Sequence, residues 1–300
     1  MTIREKINDL KKEKNAIILA HYYAPAEVQE IADYVGDSFY LAKMAATTDA
    51  DIVVFAGVYF MGESAKVLCP EKTVLMPDLT ADCPMAHMVE IEKIEELKKQ
   101  YDDLAVVCYI NSTAKLKCHS DVCVTSSNAV KIVKNLPNKN IFFIPDVNLG
   151  RFVSKEVPEK NIILNDGHCP IHNSVTLDDV INAKNAHPSA KLLTHPECRE
   201  DILKESDYIG STADILKYAG ESDCNEFIIC TEEGVEYPLG NNNPDKKFYF
   251  VKEGFTCPDM KLNTLDKVYE VLNNMSNEIK MDEGVRERAL VPLKKMLSMA

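Results

Sequence analysis

Three Cys-Pro pairs, Cys83-Pro84, Cys169-Pro170 and Cys257-Pro258, stand 86 and 88 residues apart in a chain of 300 residues. A proline straight after a cysteine puts the thiolate on a tight loop of the kind that ligates iron–sulfur clusters. Three thiolates would hold three irons of a cubane cluster and leave the fourth without a protein ligand, able to bind a substrate oxygen or nitrogen as a Lewis acid. The dipeptide alone is weak evidence, because Cys69-Pro70 also carries it; equal spacing is what sets the three apart. The other seven cysteines, Cys69, Cys108, Cys118, Cys123, Cys198, Cys224 and Cys230, read as small core residues. A zinc site completed by His172 is the rival reading, although C-x-x-C pairs are absent. A ferredoxin-like carrier would need a fourth cysteine in a compact run.

The same spacing runs through the polar residues. His21-Tyr22-Tyr23, Tyr109-Ile110-Asn111 and His195-Pro196-Glu197 each follow a short apolar run (AIILA, AVVCYI, AKLLT) at offsets of 88 and 86. Residues two apart on a strand share a side, so His21 with Tyr23, Tyr109 with Asn111, and His195 with Glu197 form three matched pairs. His21, His195, Glu197 and a perturbed Tyr23 or Tyr109 are the groups suited to acid–base work. Asp33 to Ser38, Asp121 to Ser126 and Asp207 to Thr212 repeat at the same offsets and end where apolar helices begin (LAKMAA, AVKIVKNL, ADILKYA). Ser38, Ser126 and Thr212 read as ordinary N-caps. Three helix N-termini aimed at one centre would also offer N–H groups and positive dipole ends to carboxylates or phosphate. His172 and Met260 sit three residues past Cys169 and Cys257, where they would line the centre or pack.

The elements that must position these groups repeat as well. Helical spacing of Ile3, Ile7 and Leu10, of Ile91, Ile94 and Leu97, and of Leu177, Val180 and Ile181 predicts a helix at the head of each unit. Two further strands follow in each: IVVFA and TVLM, NIFFI and NIILN, FIIC and FYFV. Strands alternating with helices imply parallel βαβ units with right-handed crossovers. The expected fold is α/β, with three pseudo-threefold repeats, each a small parallel sheet with flanking helices, around a central active-site cavity. The units run 1–87 (closed by C-terminal helices, 264–300), 88–173 and 174–263. Ligand groups gather beyond the carboxyl ends of parallel strands, where every landmark falls.

Composition narrows the function classes. With 34 basic against 47 acidic residues the net charge is −13, which disfavours nucleic acid and anionic membranes as partners. No apolar run approaches the roughly 18 residues of a membrane span, and the charged start MTIREKINDLKKEK lacks the apolar stretch of a signal peptide. A cytoplasmic enzyme is expected, and ten cysteines there argue against a disulfide framework.

Nine segments, AHYYAPAEVQEIADYVGDS, DCPMA, YINST, TSSNAV, PDVNLG, NDGHCPIH, HPEC, IGST and TCPDMKLNTL, resemble the quinolinate synthase family, the iron–sulfur enzymes of de novo NAD synthesis. The likeness runs from Ile17 to Met260. It implies a transferase that condenses iminoaspartate with dihydroxyacetone phosphate in a dehydrating cyclisation to quinolinic acid, releasing phosphate and two waters. It further implies one 4Fe–4S cluster on Cys83, Cys169 and Cys257, whose open iron assists the dehydrations, and a functional link to an enzyme that produces iminoaspartate. Tyr23 and Glu197, with His21 and Tyr109, would be catalytic. His21, Ser38, Tyr109, Asn111, Ser126, His172, His195, Glu197, Ser211 and Thr212 would bind substrate. Two departures stand out: Tyr22 replaces the family's common Asn, and Cys257 lacks the neighbouring cysteines of some longer members. A non-catalytic iron–sulfur sensor and a hydro-lyase for another dicarboxylate are the alternatives.

Overall fold

A computed structural model describes residues 1–300. Twelve strands form three separate four-stranded sheets, and every pairing is parallel. The first sheet holds β1 (Ala16–His21), β2 (Tyr34–Gly36), β3 (Ile52–Ala56) and β4 (Thr73–Leu75), in the order β2-β1-β3-β4. The second holds β5 (Leu104–Tyr109), β6 (Val122–Val124), β7 (Asn140–Ile144) and β8 (Asn161–Leu164), and the third β9 (Lys191–Thr194), β10 (Tyr208–Ile209), β11 (Glu226–Cys230) and β12 (Lys247–Phe250). Their orders, β6-β5-β7-β8 and β10-β9-β11-β12, repeat the first. The expected α/β fold with three similar parallel sheets is therefore present, with a correction: each sheet has four strands where three were anticipated. The extra edge strands β2, β6 and β10 span only two or three residues, too few to show a period of two.

The helices that head the units are Ile3–Glu13, Ile91–Gln100 and Leu177–Ala186. Strand alternation decides which face meets which layer. In β1 and β3, Ile18, Ala20, Ile52, Val54 and Ala56 bury against Leu265, Val268, Val271 and Leu272 of the helix Leu265–Asn274. Leu19, Val53 and Phe55, on the opposite face, join the larger core around the second sheet. The third sheet divides likewise, with Leu192 and Ile228 in one cluster and Leu193, Phe227 and Ile229 in another. The last helix, Glu283–Met299, packs on β6 and on the helices Tyr59–Leu68 and Ala114–Lys117, bridging the first and second units. No helix is long and apolar enough to cross a membrane.

Two polar braces recur in all three units. The Asp33 carboxylate accepts from the Ile18 amide at 2.7 Å, Asp121 from Val106 at 2.7 Å and Asp207 from Leu192 at 2.8 Å, each across 15 residues. These aspartates are the landmarks read from the sequence, and their function is to lock the edge strand's approach to the central strand. Lys72, Lys160 and Lys246, spaced 88 and 86, each donate to backbone carbonyls at or just past a helix end: Thr48 and Ala50, Leu136 and Asn138, Ala219 and Ser222. A lysine there satisfies carbonyls that a helix end leaves without partners.

Asp121→Ala removes one acceptor from a partly buried amide and is expected to cost about 1–2 kcal/mol in urea unfolding. A midpoint equal to the parent's would show that the brace contributes nothing.

Candidate active site

The strands end at His21, Tyr109 and Thr194, so the second member of each polar pair, and His195 as well, lies on the turn that follows. Strand pleating therefore does not hold them together, as the two-residue spacing first implied. Local closure does: the Tyr23 amide donates to His21 Nδ1 at 3.1 Å, and the Glu197 amide to His195 Nδ1 at 3.3 Å. Burial lowers both imidazoles to about 3, which leaves them neutral at pH 7. With Nδ1 accepting, each ring carries its proton on Nε2. The 3.6 Å approach of His195 Nδ1 to Glu197 is thus no ion pair.

A cavity of about 290 Å³ is lined by residues of all three units. Cys83, Cys169 and Cys257 face it together with His21, Tyr23, Ser38, Tyr109, Asn111, Ser126, His172, His195, Glu197 and Thr212. Each Cys-Pro pair opens a short helical turn, with the cysteine as its N-cap. The amides of the three cysteines are held by carboxylates: Cys83 by Asp82 at 2.8 Å, Cys169 by Asp146 at 3.1 Å and Cys257 by Glu232 at 2.9 Å. Tyr22 does not line the cavity and packs toward the third sheet.

Ser211 is the expected residue that does not line the cavity. Its hydroxyl bonds Asp214 in a capping box, so it serves the helix Thr212–Glu221. The N-caps also differ from those expected. Asp37 caps the helix Ser38–Thr47 and Ser211 the helix starting at Thr212, one residue earlier than read from the sequence. The preceding residue takes over the capping and leaves the Ser38 and Thr212 side chains free to line the cavity. In the second unit the helix starts only at Ala129, with Asn128 before it, and Ser126 lies 3.2 Å from His195 Nε2.

The buried groups are joined by hydrogen bonds. Tyr23 Oη lies 2.7 Å from Thr212 Oγ1 and 2.7 Å from Thr231 Oγ1; Thr231 Oγ1 lies 3.0 Å from His172 Nε2. His172 Nδ1 reaches Glu197 Oε2 at 2.8 Å and Cys169 Sγ at 3.3 Å, and its ring stacks on His195 with centroids 4.7 Å apart. Burial works against the charge of Glu197, but the contact with His172 and the Tyr109 hydroxyl outweigh it and hold the carboxyl below its usual range. Burial, reinforced by that negative charge, raises the Tyr23 and Tyr109 phenols well above theirs, so both stay protonated.

Thr231, Glu232, Asp146 and Lys261 were not singled out from the sequence. Glu232 accepts from Lys261 at 2.8 Å as well as from the Cys257 amide, and Lys261 donates to the Tyr23 carbonyl at 2.9 Å, so one ion pair links a cysteine loop to the Tyr23 turn. Gly234 allows that contact: a Cβ there would stand 2.6 Å from Tyr22 O and Tyr23 Cα. Asp146 and Glu232 do share the spacing of 86, but Val58 holds the matching place in the first unit, so a threefold search passes over them.

The donor set suits a metal group. Burial raises the thiols of Cys83, Cys169 and Cys257, so in this cavity they ionise only against a cation. Cys169, His172 and Glu197 also bring their ligand atoms within 4.8 Å of one another. Glu197 Oε1 and Asn111 Oδ1 are buried without any protein donor.

The sequence model of a family described as "Quinolinate synthetase A protein" matches residues 5–298. This chain belongs to that family. Proteins named quinolinate synthase are similar to it along almost their whole length. That of Fusobacterium nucleatum is 54% identical over 298 residues, covering 99% of both chains. That of Caldicellulosiruptor saccharolyticus is 52% identical over 298 residues, covering 99% of this chain and 98% of the other. That of Clostridioides difficile is 51% identical over 295 residues, covering 98% and 97%.

If Ser211 is a cap, Ser211→Ala lowers stability by about 1 kcal/mol and leaves the Michaelis constants of the enzyme unchanged. A several-fold rise in those constants with stability intact would return Ser211 to the substrate site.

Proposed function

We propose that this chain is a quinolinate synthase of NAD biosynthesis, condensing iminoaspartate with dihydroxyacetone phosphate to quinolinic acid with release of phosphate and two waters. The observation that carries this reading is the meeting of Cys83, Cys169 and Cys257 in one cavity with Tyr23 and Glu197, in a chain of this family. Units 1–87 (closed by 264–300), 88–173 and 174–263 would each supply one thiolate to a 4Fe–4S cluster. Bound there, the cluster supplies a Lewis-acidic iron without a protein ligand.

The chain's own residues divide the remaining work. The carboxylates and phosphate of the substrates are received where the helices starting at Ser38 and Thr212 present their N-termini, the positive ends of their dipoles. Asn111 Oδ1 and Glu197 Oε1, which have no protein donors, accept the N–H and O–H groups of the substrates. Tyr23 and Tyr109, kept protonated, give protons to departing oxygen, whereas Glu197, kept ionised, takes protons from carbon or nitrogen. His21 and His195 are neutral and orient substrate oxygens through their Nε2–H groups, and His172 steadies the Glu197 carboxylate. Enclosure of these groups excludes bulk water, which the dehydrations require. The reaction belongs in the cytoplasm, beside an enzyme that supplies iminoaspartate.

Anaerobically purified protein should be brown, hold about four irons per chain, and form quinolinate from the two substrates. Cys83→Ala, Cys169→Ala and Cys257→Ala should each lose the iron, while Cys118→Ala and Cys224→Ala keep it. Colourless protein with stoichiometric zinc, favoured if the Cys169–His172–Glu197 triad alone held a metal, would contradict the reading, as would full iron in any of the first three variants.

A further inference from the structure

Lys117 is fully buried at the end of the helix Ala114–Lys117 and does not line the cavity. Its ammonium donates to the Ser112 carbonyl and stands 5.5 Å from the ring centre of Phe60, which does line it. An ammonium is costly to remove from water, so its place here calls for a reason beyond packing. The repeat offers one. At offsets of 88 and 86 the equal places of Lys117 are Gln29 and Leu203, and those of Ser112 are Ala24 and Cys198. Gln29 Nε2 donates to the Ala24 carbonyl at 2.8 Å, so the first two units hold the same carbonyl, at the end of the polar turn, with a buried donor from the same place. The turns differ in how they close. His21 and His195 accept the amide two residues on, and the Ala24 and Cys198 amides donate to the His21 and His195 carbonyls at 2.9 and 3.0 Å. The second turn begins with Tyr109, whose ring has no acceptor near the backbone, and the Ser112 amide donates to the Ile110 carbonyl at 2.7 Å instead. The Tyr109 carbonyl is met by the Ser112 hydroxyl at 2.9 Å, and Ser112 is held in turn by Lys117.

We propose that Lys117 is the positioning residue of the second polar turn, its hydrogen bond to Ser112 replacing the imidazole clasp of the other two and so fixing where Tyr109 and Asn111 stand. The donated hydrogen bond is what the turn requires, because the neutral Gln29 serves at the equal place. The charge is answered by Glu63 of the helix Tyr59–Leu68, which also accepts from the Ala114 amide at 2.9 Å. Leucine suffices at position 203 because the third turn closes on its own histidine and has its Glu197 carbonyl held by Asn148. Methionine copies the length of lysine without its N–H groups; glutamine keeps a donor and drops the charge. The kinetic part of the inference rests on the proposed reaction, and the ordering of the turn does not.

Two measurements on anaerobic, iron-loaded protein test it. Lys117→Met should speed amide hydrogen exchange on the order of tenfold in the peptide from Tyr109 to Lys117, with the peptide from His21 to Ala24 unchanged. The same variant should lower kcat/KM for quinolinate formation on the order of 10²-fold at full iron content, the scale on which a misplaced group acts. Lys117→Gln should bring both the exchange and the rate back close to the parent's. A methionine variant with parental exchange or parental kcat/KM, or equal losses in the methionine and glutamine variants, would overturn the inference. So would a methionine variant that cannot fold, which would make the lysine a purely structural residue. A parent that binds iron but forms no quinolinate would refute the proposed reaction instead, and hydrogen exchange would still decide the role of Lys117.

Discussion

Glu197 is a buried carboxylate that reaches no lysine or arginine, and the arrangement of the site follows from keeping it charged. A carboxylate removed from water costs several kcal/mol unless hydrogen bonds replace its hydration. Here one oxygen is met by His172 Nδ1, and its residue's carbonyl is met by Asn148 of the second unit at 3.0 Å. His172 is in turn tied through Thr231 to Tyr23, a residue from the first unit. Glu232, another carboxylate lining the cavity, is handled differently, with a lysine and two amides about it. Glu232 therefore has both oxygens met by the protein, whereas Glu197 keeps one oxygen without a protein donor.

No single unit could build this arrangement. Each parallel sheet delivers its side chains beyond the carboxyl ends of its strands, and each sends one cysteine loop and one polar turn to the common cavity. Small displacements between units would break bonds of 2.7–3.0 Å, so the contacts between units have to be stiff. Gln29 provides one such contact, donating to Tyr22 and Ala24 of its own unit and to Gly234 of the third. The close approach at Gly234 provides another, and the helix Glu283–Met299 ties the first unit to the second.

Much of this was legible in the sequence because it repeats. The three cysteines, the three polar turns and the aspartate braces occupy equal places, and equal place is a stronger signal than residue type. What failed to show was whatever breaks or escapes the repetition. Asp146 and Glu232 match each other but meet Val58 in the first unit, and Thr231 has meaning only through partners more than 50 residues away in sequence. The edge strands were too short for a period, and a serine or threonine before a helix looks like a cap even when its predecessor does the capping. Ser211 shows the converse, a residue expected at the substrate that caps its helix and stands off the cavity.

In the proposed reading, three thiolates hold a cluster whose fourth iron is left for substrate beside Glu197 and Tyr23. Mössbauer spectra of the anaerobic protein loaded with iron-57 address it most directly. One iron site distinct from three like ones is expected, with its parameters alone shifting when a dicarboxylate substrate analogue binds. Four equivalent sites, or a spectrum that the analogue leaves unchanged, would contradict it.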